Sequence, residues 1–92
     1  MFHLYIVRCS DGTLYVGHSE SPQARVKAHN DGRGASYTFK RRPVRLVYSE
    51  EFRSEADAIE RERQLKRWSR AKKEALIAGD LAGLKRLSKR YS

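Results

Sequence analysis

The sequence holds few of the residues that build disulfide frameworks, cysteine-rich zinc sites or membrane spans. Its single cysteine among 92 residues excludes the first two kinds of structure. The apolar stretch nearest the start, residues 4–7, is far shorter than the ~18 residues that a membrane-spanning helix needs. It is also too short for the core of a secretion signal. We therefore expect a cytoplasmic protein without a membrane partner.

Length sets a second limit. A chain of 92 residues fits one small domain and is too short for a dinucleotide-binding fold or an eight-stranded barrel. We therefore expect no small-molecule cofactor. The 39% hydrophobic content, with five tyrosines, three phenylalanines and one tryptophan, is enough for a small core and argues against a disordered tail.

Positive charge is abundant and unevenly distributed. The chain carries 20 Lys and Arg against 11 Asp and Glu, a net charge of +9. Residues 1–39 contain only 4 basic and 3 acidic residues, whereas residues 40–92 contain 16 and 8. Positive charge of this density attracts polyanions, of which nucleic acid is the commonest in cells. The charge alone leaves open a DNA-binding protein, an RNA- or ribosome-associated protein, and plain solubility.

Two β-branched and aromatic segments, residues 2–9 and 13–18, predict the strands of a hairpin with a turn at residues 10–12. The loop length decides what the hairpin presents. Because side chains alternate along a strand, a three-residue loop places Tyr5 and Tyr15 on the same face of the sheet. A two-residue loop would place them on opposite faces.

A helix is predicted from Pro22 to about Asn30, with Ser21 as its N-terminal cap. At 100° per residue, Arg25 and His29 fall on the side that faces the protein. A cation and an imidazole seldom point inward without a partner or a function. Both residues are therefore candidate site residues.

The rest of the chain completes the pattern of an α+β protein. We predict one helical turn within the loop of residues 32–43, a third strand at 44–50, and helices at about 54–68, 69–77 and 81–90. The expected fold is a three-stranded antiparallel sheet flanked by helices. Residues 1–79 would form the domain, and residues 80–92 a basic C-terminal helix or tail.

Glu62 has an unusual position on the helix predicted at 54–68. It lies inside the apolar arc, between Ile59 and Leu65, whereas Glu60 lies far outside that arc. A carboxylate on a buried face is destabilising unless a positive group meets it. The sequence leaves two partners open, Arg25 or a metal ion.

These residues together resemble one known family. The segments His3-Leu4-Tyr5 and Tyr15-Val16-Gly17 are similar to the two name-giving motifs of the GIY-YIG nuclease superfamily, with the tyrosines ten residues apart. Arg25 and His29 follow at the spacing of the family's Arg and His, and Glu62 matches its metal-binding Glu. The resemblance extends over residues 4–77 and points to the small stand-alone bacterial members.

The resemblance implies a divalent-metal-dependent endonuclease that hydrolyses DNA phosphodiester bonds. One Mg²⁺ or Mn²⁺ ion would bind Glu62, and Arg25 would clamp the scissile phosphate. Tyr5 would activate the attacking water, for which its pKa would have to fall below the usual value near ~10. Arg25 and the metal are the expected causes of that shift. His29 would relay a proton or contact the phosphate, and Tyr15 would position metal-bound water.

Other positions refine this expectation. Gly17 would let the backbone approach the ligand closely. His3 stands where the superfamily has Gly, and His18 stands where relatives often have Lys, Thr or Ser. These departures bear on substrate choice and rate more than on the fold.

A second set of residues, all basic or aromatic, is predicted to contact nucleic acid: Tyr37, Lys40, Arg41, Arg42, Arg70, Lys72 and Lys73. We expect structure-selective or weakly sequence-selective cleavage, with branched or nicked DNA among the substrates. A protein partner or a homodimer is compatible with the sequence but not indicated by it. The alternative is a nucleic-acid-binding module of the same fold that has little or no turnover, in which Arg25 and Glu62 form a structural ion pair.

Overall fold

The computed structural model describes residues 1–89 and confirms the α+β class. Within these residues the chain forms three strands and five helices. The strands are β1 (Phe2–Arg8), β2 (Leu14–Ser19) and β3 (Arg45–Phe52). The helices are α1 (Pro22–Asn30), α2 (Ser36–Phe39), α3 (Glu55–Lys66), α4 (Arg70–Ala78) and α5 (Leu81–Lys89). The predicted end of the last helix, at residue 90, lies outside the described residues.

The sheet is antiparallel, with β1 between β2 and β3. The hairpin has the three-residue loop: its flanking residues, Cys9 and Thr13, are joined by an N–H···O bond of 2.8 Å, and its glycine adopts a φ of 85°. In this register Tyr5 lies opposite Gly17, and Tyr15 lies two residues earlier on β2. Tyr5 and Tyr15 therefore share a face of the sheet.

Different helices cover the two faces of the sheet. We call the side that carries Tyr5 and Tyr15 the α1 face, and the opposite side the α3 face. The α1 face has a core of Tyr5, Val7, Cys9 and Val44, against which Val26 of α1 packs. The α3 face has a core of Leu4, Ile6, Val16 and Leu65, surrounded by Trp68, Leu76 and Ile77. Because β2 is an edge strand, groups from both faces meet beside it.

Three serines begin helices as predicted, each accepting the amide proton of the residue three positions later: Ser21, Ser54 and Ser69. The helix predicted at 54–68 ends earlier, at Lys66. The amides of Arg67 and Trp68 bond to carbonyls three residues back and close a tighter turn. Trp68 consequently leaves the helix and packs against the α3 face.

The basic C-terminal helix is attached to the helix before it. α5 begins after Asp80, whose side chain accepts the Gly83 amide proton at 2.8 Å, and it packs against α4. The division of the chain at residue 79 stays a prediction. No helix within residues 1–89 is both long enough and apolar enough to cross a membrane.

Candidate active site

The site lies where α1 packs on the sheet. Pro22 is buried and Val26 packs on the core, and this orientation turns His29 inward. His29 is fully buried, and its Nε2 lies 3.1 Å from the Tyr5 hydroxyl oxygen. Tyr5, on the central strand, is 1% exposed. The inward side predicted for α1 is confirmed, and the structure brings Tyr5 and His29 into direct contact.

A buried threonine occupies the other side of His29. The Nδ1 atom of His29 lies 2.7 Å from the Thr38 hydroxyl oxygen in α2. That hydroxyl also donates to the Ala35 carbonyl at 2.9 Å. Burial, with a smaller contribution from Arg25, lowers the pKa of His29, so the ring is neutral near pH 7. Sequence analysis did not identify Thr38, because no pattern in a loop shows which hydroxyl will meet the imidazole.

Burial raises the pKa of the Tyr5 phenol above its usual value. The Arg25 guanidinium acts in the opposite direction but does not outweigh burial. The depressed pKa expected from the sequence is therefore wrong for the protein's own groups. The physical reason is the place of Tyr5 on the central strand, which removes the phenol from water. Tyr5 is a protonated donor near neutral pH, beside a neutral imidazole.

Gly17 provides the space in which the Tyr5 ring lies. A Cβ atom at Gly17 would lie 2.6 Å from the Tyr5 hydroxyl oxygen and 2.7 Å from the ring carbon that bears it. The sequence predicted that a ligand would approach the backbone at Gly17; in the structure the Tyr5 ring occupies the space beside it. Gly17 orients the phenol by allowing the ring to rest on the β2 backbone.

An aromatic wall extends from His29 to the surface. The Tyr15 ring meets His29 edge-on, with ring centroids 5.4 Å apart, and Tyr37 stacks on Tyr15 at 5.8 Å. The Arg41 guanidinium lies 4.1 Å from the centroid of the Tyr37 ring. Tyr37 is 39% exposed. Part of its ring therefore supports Tyr15, and part faces solvent.

Arg25 lies beside this group without a carboxylate partner. It is half-buried and close enough to Tyr5 and His29 to lower the pKa of each. Among the residues that the structure describes, Arg25 forms no ion pair. A half-buried guanidinium without a counter-ion can receive a planar or tetrahedral anion through two parallel hydrogen bonds.

Glu62 has partners other than Arg25. Its Oε1 lies 2.7 Å from Nδ1 of His18 on β2, and its Oε2 lies 3.0 Å from Nζ of Lys66, one turn later on α3. Of the two partners that the sequence left open, Arg25 is not the one that Glu62 contacts, because His18 and Lys66 meet both carboxylate oxygens. The i+4 spacing of Lys66 could have signalled its role. His18 carried no such signal, because its contact depends on how β2 and α3 pack.

Glu62 is held as an ionised carboxylate. Its side chain is 16% exposed. Burial alone raises its pKa, but hydrogen bonds from His18 and Lys66 outweigh burial and hold the pKa below its usual range. Lys66 also lies 6.0 Å from the centroid of the Tyr15 ring, which places Glu62 near the aromatic wall.

The residues around Glu62 fit a divalent cation held by one carboxylate. A Mg²⁺ ion commonly takes one or two carboxylates and completes its shell with water and substrate phosphate oxygens. No group of three or more His, Cys, Asp or Glu side chains able to hold a metal is present in the described part of the chain. Glu62 could thus supply one ligand to an ion whose other ligands come from water and the substrate. The described residues form no closed set of protein ligands around it.

Of the predicted nucleic-acid contacts, two on α4 lie next to the aromatic wall. Arg70 and Lys73 line a shallow cavity of about 210 Å³ together with Tyr37. Burial lowers the pKa of Lys73. Arg70 donates to the Gly12 carbonyl at 2.9 Å, so part of its guanidinium is already engaged.

The other predicted contacts are more dispersed. Lys40 and Arg42 line a separate open cavity with Phe39. Arg41 is held by Asp11 at 3.1 Å, and Lys72 lies 4.2 Å over the Trp68 ring, on the α3 side. Lys72 is thus apart from the Tyr37 group, and contact of all these residues with nucleic acid stays a prediction.

Comparison with known proteins places this site in a family. The family described as the GIY-YIG catalytic domain matches residues 1–75, which is most of the chain. This chain belongs to the GIY-YIG family. The resemblance inferred from the two tyrosine motifs, Arg25, His29 and Glu62 is thereby confirmed.

The GIY-YIG assignment agrees with individual relatives. A UPF0213 protein of Staphylococcus aureus (strain Mu3 / ATCC 700698) is 50% identical over 74 residues, which cover 80% of this chain and 90% of that protein. The solution structure of a UPF0213 protein from Bacillus halodurans has a TM-score of 0.55 at 40% identity and covers 85% of this chain and 84% of its own. A protein from E. faecalis, also solved by NMR, has a TM-score of 0.57 at 35% identity, with coverage of 84% and 82%. The chain is therefore similar to small stand-alone GIY-YIG proteins in sequence and fold.

Proposed function

We propose that this GIY-YIG protein is a divalent-metal-dependent endonuclease that hydrolyses DNA phosphodiester bonds with structure selectivity or weak sequence selectivity. The observation that carries the proposal is the half-buried Arg25 guanidinium, which forms no ion pair within residues 1–89 and acts on the buried Tyr5–His29 pair beside it. The Glu62 carboxylate, which the sequence left open as a partner of Arg25, contacts His18 and Lys66 instead. A guanidinium in this setting suits a phosphate.

Arg25 would hold the scissile phosphate. A guanidinium donates two parallel hydrogen bonds to phosphate oxygens and offsets the negative charge that grows in the transition state. The low polarity around Tyr5 and His29 strengthens that attraction relative to water. The same charge would bring the phosphate next to the Tyr5 hydroxyl.

Tyr5 and His29 would together remove the proton of the attacking water. Tyr5 is protonated near neutral pH, so it cannot serve as a base without losing its own proton. The neutral His29 ring lies 3.1 Å from the phenol oxygen and can take that proton at Nε2. As the water oxygen attacks phosphorus, its proton passes to the Tyr5 oxygen and the Tyr5 proton passes to His29. One O–H bond of the water and the original phenol O–H bond break, while a new phenol O–H bond and an Nε2–H bond form. The positive charge ends on the imidazole.

Glu62 would hold the divalent cation, Mg²⁺ or Mn²⁺, which supplies Lewis-acid polarisation of a phosphate oxygen and stabilises the departing oxyanion. His18 and Lys66 keep the carboxylate ionised and fix its orientation. Tyr15 stands between this carboxylate and His29 and would position water at the reacting phosphate.

The DNA would run along the basic surface beside the aromatic wall. Tyr37 presents part of its ring to solvent, and Arg70 and Lys73 line the adjacent cavity. These side chains suit a backbone phosphate and an unstacked base. DNA with branched or nicked structure exposes both, which supports structure selectivity.

Nicking of supercoiled plasmid and cleavage of branched DNA test this function. We expect cleavage with Mg²⁺ or Mn²⁺ and none with a chelator. Glu62→Gln, which removes the charge at constant size, should lower the cleavage rate by about 10²-fold or more while DNA binding is retained. The control is Glu60→Gln, on the exposed side of the same helix, which should cleave like the parent. Equal cleavage by Glu62→Gln and the parent would refute the assignment.

A binding module without turnover is the second candidate. The observation that favours it is the double engagement of the Glu62 carboxylate by His18 and Lys66, which leaves that charge balanced without a metal. This candidate predicts DNA binding with a steep salt dependence, no cleavage at any metal concentration, and no difference between the parent and Glu62→Gln.

A further inference from the structure

Thr38 carries a fully buried hydroxyl that contacts His29 of the Tyr5–His29 pair. Within the described residues, His29 and Thr38 are the buried polar side chains of the core. Their contact, at 2.7 Å, is shorter than the contact of His29 with Tyr5 at 3.1 Å. Three groups with one mobile proton each therefore form a line from Tyr5 through His29 to Thr38, which ends on the Ala35 carbonyl at 2.9 Å.

The donors and acceptors along this chain of hydrogen bonds favour one arrangement of its protons. A carbonyl only accepts, so the Thr38 proton points at Ala35 and the Thr38 oxygen accepts from Nδ1–H of His29. A neutral ring has a single N–H, so Nε2 is without a proton and accepts from the Tyr5 hydroxyl. All three protons are then used in hydrogen bonds.

The opposite direction leaves one proton unused. With the proton on Nε2, His29 would donate to Tyr5, and Thr38 would have to turn its proton from Ala35 to Nδ1. The Tyr5 proton would then have no acceptor among the described residues: His29 would be a donor to the phenol oxygen, and the Arg25 guanidinium, which also hydrogen-bonds Tyr5, can only donate. An unmade hydrogen bond at a buried phenol disfavours this tautomer.

We propose that Thr38 is a positioning residue, whose hydroxyl holds His29 in the tautomer with a free Nε2 lone pair aimed at the Tyr5 proton. The inference rests on the proposed function for its catalytic consequence, but the tautomer itself does not depend on activity. When the Tyr5 proton arrives at Nε2, the Nδ1–H···Thr38 bond stays in place and stabilises the imidazolium that forms.

The loop before α2 holds the imidazole against Thr38. A Cβ atom at Gly34 would lie 2.0 Å from Nδ1 of His29 and 2.6 Å from its neighbouring ring carbon. The backbone of Gly34 therefore rests directly on the edge of the ring that faces Thr38. Any larger residue there would displace the ring, so the loop keeps both the distance and the orientation of the His29–Thr38 contact.

The ring-nitrogen NMR signals of the histidines test the tautomer in the parent protein. Long-range ¹H–¹⁵N spectra at neutral pH should show His29 with a protonated Nδ1 and an unprotonated Nε2. This measurement needs no variant and no nuclease activity. A protonated Nε2 at neutral pH would overturn the proposal even if the protein cleaves DNA, whereas absence of cleavage would leave the tautomer result standing and refute only the function.

Two substitutions test the cause. Thr38→Val keeps the shape and removes the hydroxyl, and it should give His29 a mixed or reversed tautomer and lower kcat by about 10- to 100-fold, with KM little changed. Thr38→Ser keeps a hydroxyl and should restore the parent tautomer and bring kcat to within about threefold of the parent. The signals of His3 and His18 should be the same in all three proteins.

Circular dichroism and the unfolding midpoint separate this role from a loss of fold. A folded Thr38→Val protein with the parent tautomer and the parent kcat would overturn the proposal. If Thr38→Val does not fold, the parent tautomer and the recovery in Thr38→Ser decide it: a Thr38→Ser protein that is folded yet has the reversed tautomer would equally overturn it.

Discussion

Two tyrosines on neighbouring strands of this sheet have opposite electrostatic settings. Tyr48 on β3 donates to a Glu50 carboxylate oxygen, and Arg61 grips that carboxylate with bonds of 2.9 and 3.0 Å. Burial and, after it, Glu50 raise the pKa of Tyr48 to about 12. The carboxylate that Tyr48 contacts is thus already paired with a guanidinium, and the raised pKa keeps the phenol protonated near neutral pH.

Tyr5 on β1 is buried more deeply than Tyr48 and has different neighbours. Its hydroxyl bonds a neutral His29 instead of a carboxylate, and Arg25 beside it has no ion pair in the described residues. Burial raises the pKa of Tyr5, while Arg25 pulls it down. The comparison teaches that paired charges, as in Glu50–Arg61, serve the stability of the fold. A guanidinium with no ion pair in the described residues, beside a neutral imidazole, has instead the chemistry to bind an anion and accept a proton.

The two arginines should separate these roles most clearly. Arg25→Ala should lower DNA cleavage by about 10²- to 10³-fold, because the phosphate loses its charge partner in the transition state. Its effect on the free energy of unfolding should be small, because no carboxylate is left unpaired. Arg61→Ala should instead lower the free energy of unfolding by about 1–3 kcal/mol, because Glu50 loses its partner while partly buried.

Cleavage rates and urea unfolding curves, measured on both variants, check that one substitution lowers cleavage and the other lowers stability. Arg61→Ala should retain cleavage at a temperature where it is folded. Equal loss of cleavage in both variants would remove the distinction between the two networks.

Two glycines allow the same comparison with a single methyl group. Gly17→Ala should displace the Tyr5 phenol, and we expect cleavage to fall by about 10- to 100-fold, since a misplacement near 1 Å can have an effect of that size. Gly79→Ala meets no atom within 4 Å but must adopt a φ of 70° at the end of α4. It should lower stability by about 1 kcal/mol and leave cleavage per folded molecule unchanged. A Gly17→Ala protein with parental cleavage would show that the ring has room to move.

Acidification should act on the Tyr5 side of the molecule before it acts on the Tyr48 side. The pKa of His29 is lowered in the fold, so the unfolded chain binds a proton more readily, and stability falls as pH drops below the unfolded value of ~6.5. Glu50 also has a lowered pKa, but its contribution is lost only as pH falls below its ordinary value of ~4.5. Between pH 6.5 and 5, urea midpoints should therefore fall in the parent and fall less in His29→Gln. Identical slopes would contradict a buried neutral His29.

The smallest expected effect concerns DNA binding. Lys73→Gln, in the cavity beside Tyr37, should weaken binding by a few-fold and reduce the slope of log K against log salt by about 1. Lys27→Gln serves as the control, because Lys27 is exposed and already pairs with Asp31. Filter binding at several salt concentrations measures both. Indistinguishable slopes for Lys73→Gln and the parent would remove Lys73 from the DNA surface.

Local sequence rules predicted what depends on period and caps. The sequence linked the hairpin register to the turn length and left two lengths open; the structure has the three-residue loop, which places Tyr5 and Tyr15 on one face. The helix from Pro22 followed from its serine cap, and its 100° period turned Arg25 and His29 inward. These features are set by residues near in sequence, so the sequence contains them directly.

Contacts between segments that are distant in sequence were harder to predict. The partner of Glu62 depends on how α3 crosses the edge of β2, which brings in His18. Thr38 reaches His29 only because the loop from residue 31 to 35 folds back over the ring. The end of α1, where that loop begins, is fixed by Asn30, whose side chain exchanges two hydrogen bonds with the Val44 backbone. Neither the hydrophobic period of a helix or strand nor a helix cap predicts such long-range contacts.

The pKa of Tyr5 was misjudged for a related reason. Sequence motifs show that Arg25 is near but not how deeply the phenol is buried, and burial is the larger influence. Under the proposed function, the basic role then falls to Tyr5 together with His29 and not to Tyr5 alone.

The substitution pair Tyr5→Phe and Tyr48→Phe tests the central claim most directly, because each removes one hydroxyl from a tyrosine of the same sheet, buried at Tyr5 and half-buried at Tyr48. Metal-dependent cleavage of one DNA substrate, measured per folded molecule, should fall by about 10²-fold or more in Tyr5→Phe and stay within about twofold of the parent in Tyr48→Phe, where only stability should change. Parental cleavage by Tyr5→Phe, or an equal loss in both variants, would contradict the assignment of the Tyr5–His29 pair to catalysis.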